Sequence, residues 1–511
     1  MCFSLFLLSV YLVISSFGLK MYFLKMRIEQ ATAWSLLPVL VLSALSVVTV
    51  PVYYHSLGSD MYALWLAIQT MTGTFGFMDF GLGVATGRFV GVALGRGDFT
   101  AAREYWASGN IINFGFLSIM ALFFGFAGSM FGSHWFLAAQ SDPDVFFACI
   151  WASAAGLFIS YYSQGWLVLL QAHLDFRWLS VNRTLFALLT GVGMAAVAWI
   201  FHNPFPSILF GIGVGFIQLI SFVLRARQAH RIAPSVRYAR WSRLCEMFSY
   251  TGKTFMALFC GSVFNSLDRW ILGRFAGTSS FIPYNIASNL ALRAQGLSTA
   301  VMGPIFHESS RGVGHNDLSR LAEIYRRSFN LLAPIYILSS IWITFWQVPW
   351  LELWLGSELG TKVSLILPFL AWAACISAIG NISGAQLGPL NLVGTGTFIQ
   401  FLSLAFSGLL VWAGWQLHGL EGSAAGLLAG RFILFFQDAL VRRKIQVRSE
   451  NMSFWKMISA SILFCWLTHQ TSRPISPSRI WQITISLICL AGLGLIWWIT
   501  RRDPKKDHSS L

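Results

Sequence analysis

Charge is what this 511-residue chain lacks most: Asp, Glu, Lys and Arg together make up only 11% of it. A soluble globular protein carries about a quarter, which excludes a water-solvated surface over the whole chain. Acid is the scarcer sign, with 20 Asp and Glu against 35 Lys and Arg. The seven cysteines, at 2, 149, 245, 260, 375, 465 and 489, include no CxxC pair and fall mostly in apolar runs. Neither a disulfide framework nor a thiolate metal site is therefore implied. Long polar connections are missing too, so no soluble domain interrupts the chain, and function has to reside within its apolar part.

Apolar residues are abundant, 56% of the total, with a mean hydropathy of +0.64. Runs long enough to cross a hydrocarbon core of about 30 Å recur from end to end. Spans are expected at 33–54, 61–94, 105–131, 145–170, 179–201, 205–224, 248–273, 281–306, 329–350, 363–387, 393–415, 421–440, 453–470 and 480–500. With residue 30 in the cytoplasm, 26 basic residues fall in inward connections or tails, and only Arg274, Lys362, Arg473 and Arg479 fall outside. That asymmetry follows the positive-inside rule and places both termini in the cytoplasm. It also explains the net charge of +15 without nucleic acid. The apolar stretch MCFSLFLLSVYLVISSFG would make the span count odd. The favoured reading is that translation starts at Met21 or Met26, because Arg27 already marks the cytoplasmic side of the first span.

The chain repeats itself. Tyr62, Gly95-x-Gly97, Asp98 and Tyr105 recur in order as Tyr284, Gly312-x-Gly314, Asp317 and Tyr325, at offsets of 222, 217, 219 and 220 residues. In each copy the aspartate suits a helix N-cap, and a basic amphipathic segment follows. Six spans separate the copies, so both have the same membrane orientation. Parallel repeats of this kind are a transporter architecture. The expected fold is an all-α polytopic membrane protein. It has two six-helix bundles related by a pseudo-two-fold axis along the membrane normal, and two extra C-terminal helices bring the total to about 14. The divisions are 1–26, an extra apolar segment; 27–227, the first bundle; 228–247, a basic linker; 248–444, the second bundle; and 445–511, the additional helices and basic tail.

The stretch Asp79-Phe80-Gly81-Leu82-Gly83, with Arg88 and Gly97-Asp98, resembles the second-helix signature of the polysaccharide transporter family. These are the O-antigen and exopolysaccharide flippases of the multidrug/oligosaccharidyl-lipid/polysaccharide exporter superfamily. SLDRWILGRFAGTSSFIPYNIA at 266–287 is similar to that family's seventh-to-eighth helix junction. The resemblance implies a bacterial inner-membrane flippase. It would carry a polyprenyl-pyrophosphate-linked oligosaccharide to the periplasmic leaflet by alternating access, with a polysaccharide polymerase and chain-length machinery as partners. It implies neither a cofactor nor catalytic residues, and the appended helix pair is similar to that of fourteen-span members.

A diphosphate, a sugar chain and an apolar tail together call for cationic donors in a wet path. Arg293, half-way along its span and flanked by Asn289 and Gln295, suits phosphate oxygens. The alternative is a structural arginine bonded to helix-end carbonyls or to an acid on another span. Arg88 lies near the cytoplasmic end of its span, where snorkelling to water competes with substrate contact. Arg431 and Asp438 lie two turns apart on one face and are expected to pair or pack. Asp79 among glycines could bind a proton or sodium ion, although close helix packing with Asp79 as acceptor is the favoured reading. Asp268, Arg269 and Asn265 are candidate gate contacts, with interfacial solvation as the alternative. Tryptophans near span ends, Trp342, Trp346, Trp350, Trp354, Trp497 and Trp498, are expected as interfacial anchors.

Two decoys fall away. GKT at 252–254 lacks the first glycine of a phosphate loop, and His307-Glu308 lacks a second histidine, so no nucleotide or metal site is expected. The rival functions are an ion-coupled multidrug antiporter of the same superfamily, a membrane-embedded polysaccharide polymerase or ligase, and a scaffold without transport.

Overall fold

The structure is a computed structural model that describes residues 27–78, 80–173, 175–230, 236–314, 318–387, 390 and 392–446. The expected segment 1–26, Asp79 and the spans at 453–470 and 480–500 lie outside the described residues.

All regular structure among the described residues is helical. In chain order the long elements are α1 (Arg27–Thr74), α2 (Leu82–Gly95), α3 (Phe99–Ala127), α4 (Pro143–Ala172), α5 (Phe176–Phe201) and α6 (Pro204–His230). Then follow α7 (Trp241–Phe264), α8 (Leu267–Phe275), α9 (Thr278–Gly314), α10 (Leu318–Leu355), α11 (Ser357–Leu387), α12 (Val393–Arg431) and α13 (Leu434–Lys444). Among the described residues seven stretches are long and apolar enough to cross a membrane: Phe99–Trp135, Pro143–Ala172, Arg177–Phe201, Pro204–Gln228, Leu318–Leu355, Ser357–Leu387 and Gly394–Lys444. The protein is a multi-pass membrane protein.

Helix ends and bends fall where the sequence supplies the chemistry for them. Gly58 takes a φ of 73° and bends α1 into two arms, which separates two expected spans. At the junction of α2 and α3, Gly97 is left-handed and the Asp98 amide donates to the Ala93 carbonyl. Asp98 then accepts from the Ala101 amide at 2.9 Å, so the G-x-G-D of the first repeat is a helix stop followed by a helix start.

The expected continuous span at 61–94 is interrupted. A single 3-10 turn at Phe75–Phe77 follows α1, and Phe80 and Gly81 adopt left-handed φ values of 50° and 75° before α2 begins. The basic connection is helical at both ends, since α6 runs to His230 and α7 starts at Trp241.

Before this connection α1 packs on α5, α4 and α5 pack on α6, and α2 lies against α3 and α4. After it α11 is central, touching α9, α10, α12 and α13. Between Leu359 and Leu387 nearly every described α11 side chain is buried, as expected for a helix apolar on all sides. The two groups meet where α1 lies on α9 and where α7 lies on α2 and α3. On the outside α5 exposes Val181, Leu185, Leu188, Val192 and Trp199 along one stripe. Such a stripe is at home in hydrocarbon.

A tight hairpin closes the second group. α12 bends at His418 and Gly419, and its arms approach until only glycine fits. A Cβ on Gly426 would stand 2.2 Å from the Leu410 carbonyl oxygen, and one on Gly430 would stand 2.6 Å from the Ser407 Cα. Gly422, Gly426 and Gly430 recur every fourth residue, the small-residue stripe of a membrane helix pair. Gly426→Leu is expected to destabilise the protein by about 2 kcal/mol or more, because backbone cannot yield as a side chain does. Thermal melting in detergent micelles checks this, with Leu427→Met as the tolerated neighbour.

Candidate functional site

Interrupted helices at membrane depth are costly unless protein or a cavity satisfies their freed backbone groups. Two interruptions, one in each packing group, are pressed together. The first is the 75–81 segment between α1 and α2, and the second is the Asn265–Ser266 break between α7 and α8. A Cβ on Gly76 would lie 2.7 Å from the Ser262 hydroxyl, so glycine permits the approach. Trp270 Nε1 donates to the Thr74 hydroxyl at 2.6 Å. Phe80 stacks on Phe255 at 3.9 Å, and Phe77 meets Phe259 edge-on at 4.9 Å. Phe80 is a non-glycine residue held at positive φ, a strain of about 1–2 kcal/mol of the kind found at functional sites.

Two buried arginines hold the second break together. At the end of α7 the Gly261 and Val263 carbonyls accept from the Asn265 and Ser266 amides, and beyond them Arg269 donates to the Asn265 carbonyl. Arg431 reaches across from α12, donating to the Phe264 carbonyl at 3.4 Å while its guanidinium lies 3.4 Å from the centre of the Phe264 ring. Positive charge also complements the negative end of the α7 dipole. Asp268 is 4% exposed and accepts a 2.9 Å hydrogen bond from the Tyr284 hydroxyl of α9. Both arginines lie within electrostatic reach of that hydroxyl. The cluster thus contains two guanidiniums and one carboxylate.

This corrects two expectations. Arg431 does not pair with Asp438; it serves the α7 break, whereas Asp438 pairs with Arg442 at 2.6 Å and accepts from the Tyr325 hydroxyl. Asp268 and Arg269 are buried rather than solvated, and the partner of Asp268 lies on α9 within the same packing group. Asn265 contributes its backbone carbonyl. Tryptophans, expected at most as interfacial anchors, supply several of the contacts across the groups. Besides Trp270, Trp135 Nε1 donates to the Trp270 carbonyl at 2.9 Å and Trp354 Nε1 to the Val47 carbonyl at 2.6 Å. Arg274 adds a 2.7 Å bond to the His134 carbonyl.

Arg293 lies 15 residues into α9, roughly 22 Å along its axis at 1.5 Å per residue. Arg293 is exposed, on the stretch of α9 that follows the buried turns from Phe281 to Ser288. Asn289, half-buried, is one turn away on the same face. Gln295 is half-buried too, but residues two apart on a helix face different ways, so it does not join Arg293. Arg88 is exposed on α2, seven residues before the helix end, with its guanidinium 5.7 Å from the Phe89 ring. Among the described residues no group of His, Cys, Asp and Glu could hold a metal ion.

Residues 110–361 match a family model described as polysaccharide biosynthesis protein. The lipid II flippase MurJ, in an inward closed conformation, superposes with a TM-score of 0.65 at 11% identity, covering 92% of this chain and 97% of that one. The resemblance to the polysaccharide transporter family is borne out. Solved multidrug transporters share the fold as well. An inward-facing multidrug resistance MATE transporter gives a TM-score of 0.65 at 12% identity, covering 79% of this chain and 94% of that chain. The Vibrio cholerae MATE transporter VcmN in its bent form gives 0.61 at 16%, covering 83% and 97%. Among curated proteins none matches the sequence.

Within this transporter fold the Asp268 carboxylate is the only acid described in the cluster at the α7 break. Asp268→Asn is expected to cost about 3 kcal/mol or more, because it leaves two buried guanidiniums without their carboxylate. Tyr284→Phe removes one hydrogen bond to a charged group and is expected to cost about 1.5–3 kcal/mol. Melting of both variants in the same detergent tests that order.

Proposed function

We propose that this protein is a flippase for a polyprenyl-pyrophosphate-linked oligosaccharide, an O-antigen or exopolysaccharide repeat unit. It works by alternating access in the bacterial cytoplasmic membrane, with the arginine-rich end and both termini in the cytoplasm. The observation that carries this reading is Arg293: an accessible guanidinium 15 residues into α9, the helix that packs on α1 of the other group. A planar fork of donors suits the oxygens of a diphosphate, and a cation at that depth persists where it faces water or an anion. Asn289, one turn away, offers an amide to the first sugar. Arg88, nearer the arginine-rich end, meets the headgroup on entry. Asn265, Asp268 and Arg269 fix the break about which the groups rock, and Asp79 stays the candidate for binding a coupling ion. A polymerase and chain-length machinery would receive the product.

A second reading, an ion-coupled multidrug antiporter, draws on the MATE neighbours. Lipophilic cations need acidic walls. The acid described at the seam, Asp268, is engaged by Tyr284 and faces two arginines, an arrangement that favours an anionic headgroup over a cationic drug.

The test is translocation of lipid-linked oligosaccharide in reconstituted vesicles. Arg293→Ala is expected to slow it about tenfold or more, the worth of a hydrogen-bonded charge contact, and Arg293→Lys to fall between. Wild-type protein that moves no lipid-linked sugar overturns the flippase reading, whereas unchanged flipping in Arg293→Ala removes only Arg293 from the mechanism.

A further inference from the structure

The repeated tyrosines Tyr105 and Tyr325 reach the same kind of partner in opposite settings. Tyr325 on α10 donates to the Asp438 carboxylate, which also holds Arg442. Tyr325 is 0% exposed and Asp438 1%, and all three residues belong to the packing group after the connection. Nothing there can open without disrupting a core. Subtracting the repeat offset of 220 residues from Asp438 gives Gln218, an amide, so the first copy has no carboxylate at that spacing.

Tyr105 finds its carboxylate elsewhere, on the other side of the seam. Its hydroxyl donates to Glu246 Oε2 at 2.7 Å and accepts from Arg243 Nη1 at 3.0 Å, both on the first turns of α7. Arg243 also binds Glu104 at 3.2 Å, lies 4.7 Å from the centre of the Tyr105 ring, and is within 3.7 Å of Glu246. Arg240 approaches the other Glu104 oxygen at 3.7 Å, and its amide donates to the Ser108 hydroxyl at 2.8 Å. Water reaches this network: the side chains of Glu246, Arg243 and Glu104 are 50%, 34% and 19% exposed. Hydrated ion pairs are individually weak and exchange readily. The same carboxylate–tyrosine–arginine unit is therefore permanent after the connection and releasable before it.

From this geometry we infer that Glu104, Tyr105, Arg243 and Glu246 form a reversible latch that closes the seam at its arginine-rich end. When engaged it holds α7 against α3. When released it frees α7 to swing about its break at Asn265–Ser266, where Arg269 and Arg431 keep the far side fixed. Below the latch Met247, 1% exposed, seats between Thr86 and Gly109, and the Phe77, Phe80, Phe255 and Phe259 rings complete the closure. Describing it as the gate of a flippase rests on the proposed function, but the latch itself is testable without substrate.

The experiment is pulsed electron spin resonance on purified, nanodisc-embedded protein in which the native cysteines are replaced. Spin labels are placed at Arg103→Cys and Arg237→Cys, both exposed and outside the latch. The expected result is two distance populations, with the longer enriched about fivefold by Glu104→Gln or Arg243→Gln. Double exchange of charge, Glu104→Arg with Arg243→Glu, should return the short one. In a separate preparation, a disulfide between Ser108→Cys and Arg240→Cys should arrest translocation until reduced. One unchanged distance in wild type and both variants overturns the latch, as does normal translocation by the cross-linked protein. Two shifting populations in a protein that moves no lipid-linked sugar leave the latch standing and remove the flippase reading.

Discussion

The constraint on which this structure depends is the demand of backbone groups at a helix break deep inside an apolar molecule. Where α7 stops at Asn265, the helix ladder ends with the Gly261 and Val263 carbonyls, and the Phe264 and Asn265 carbonyls need other donors. Arg269 and Arg431 supply the donors, one from the next helix and one from α12. Their charge in turn requires Asp268, and Asp268 is held by Tyr284. One interrupted helix thus recruits four side chains from three elements, and the position of each follows from satisfying the one before. On the opposite face, the 75–81 interruption fits against the same region because Gly76 lets the Ser262 side chain in and Phe80 accepts a strained conformation to stack on Phe255.

From that arrangement follows an uneven closure of the seam. Away from the arginine-rich connections, indole N–H groups of Trp135, Trp270 and Trp354 bind backbone or hydroxyl oxygens across the groups. At the arginine-rich end the closure is ionic and wetted. Apolar and indole contacts hold by packing, whereas hydrated ion pairs trade partners with water at little cost. Arg293 is accessible on α9. The proposed transport cycle, binding an anionic headgroup and opening alternately, calls for such a donor and for closures that differ in strength.

Much of this was legible beforehand. Charge scarcity, the apolar runs and the G-x-G-D junction named the class and placed the α2–α3 turn, because helix stops and starts depend on local chemistry. Tyr105 and Tyr325 stood out as repeats, but their unlike partners did not, since partners come from helices more than a hundred residues away. The interruption at 75–81 was hidden because glycine and phenylalanine there also read as a continuous membrane helix. Arg431 was assigned to Asp438, the nearest acid in sequence, although the carbonyls of a distant broken helix were its real partners. The Gly422, Gly426 and Gly430 spacing carried the hairpin signal and was available to a search for small residues every fourth position. For Gln295, counting proximity along the chain misled, because the helix turns it away from Arg293.

The central claim is that the accessible arginine of the seam recognises the diphosphate of a lipid carrier. The most direct measurement is competitive binding to the purified protein, read by native mass spectrometry, of a polyprenyl pyrophosphate against the polyprenyl alcohol of equal chain length. The account predicts that wild-type protein prefers the pyrophosphate and that Arg293→Gln binds the two alike. Equal binding by the wild type, or a preference undiminished in Arg293→Gln, would contradict it.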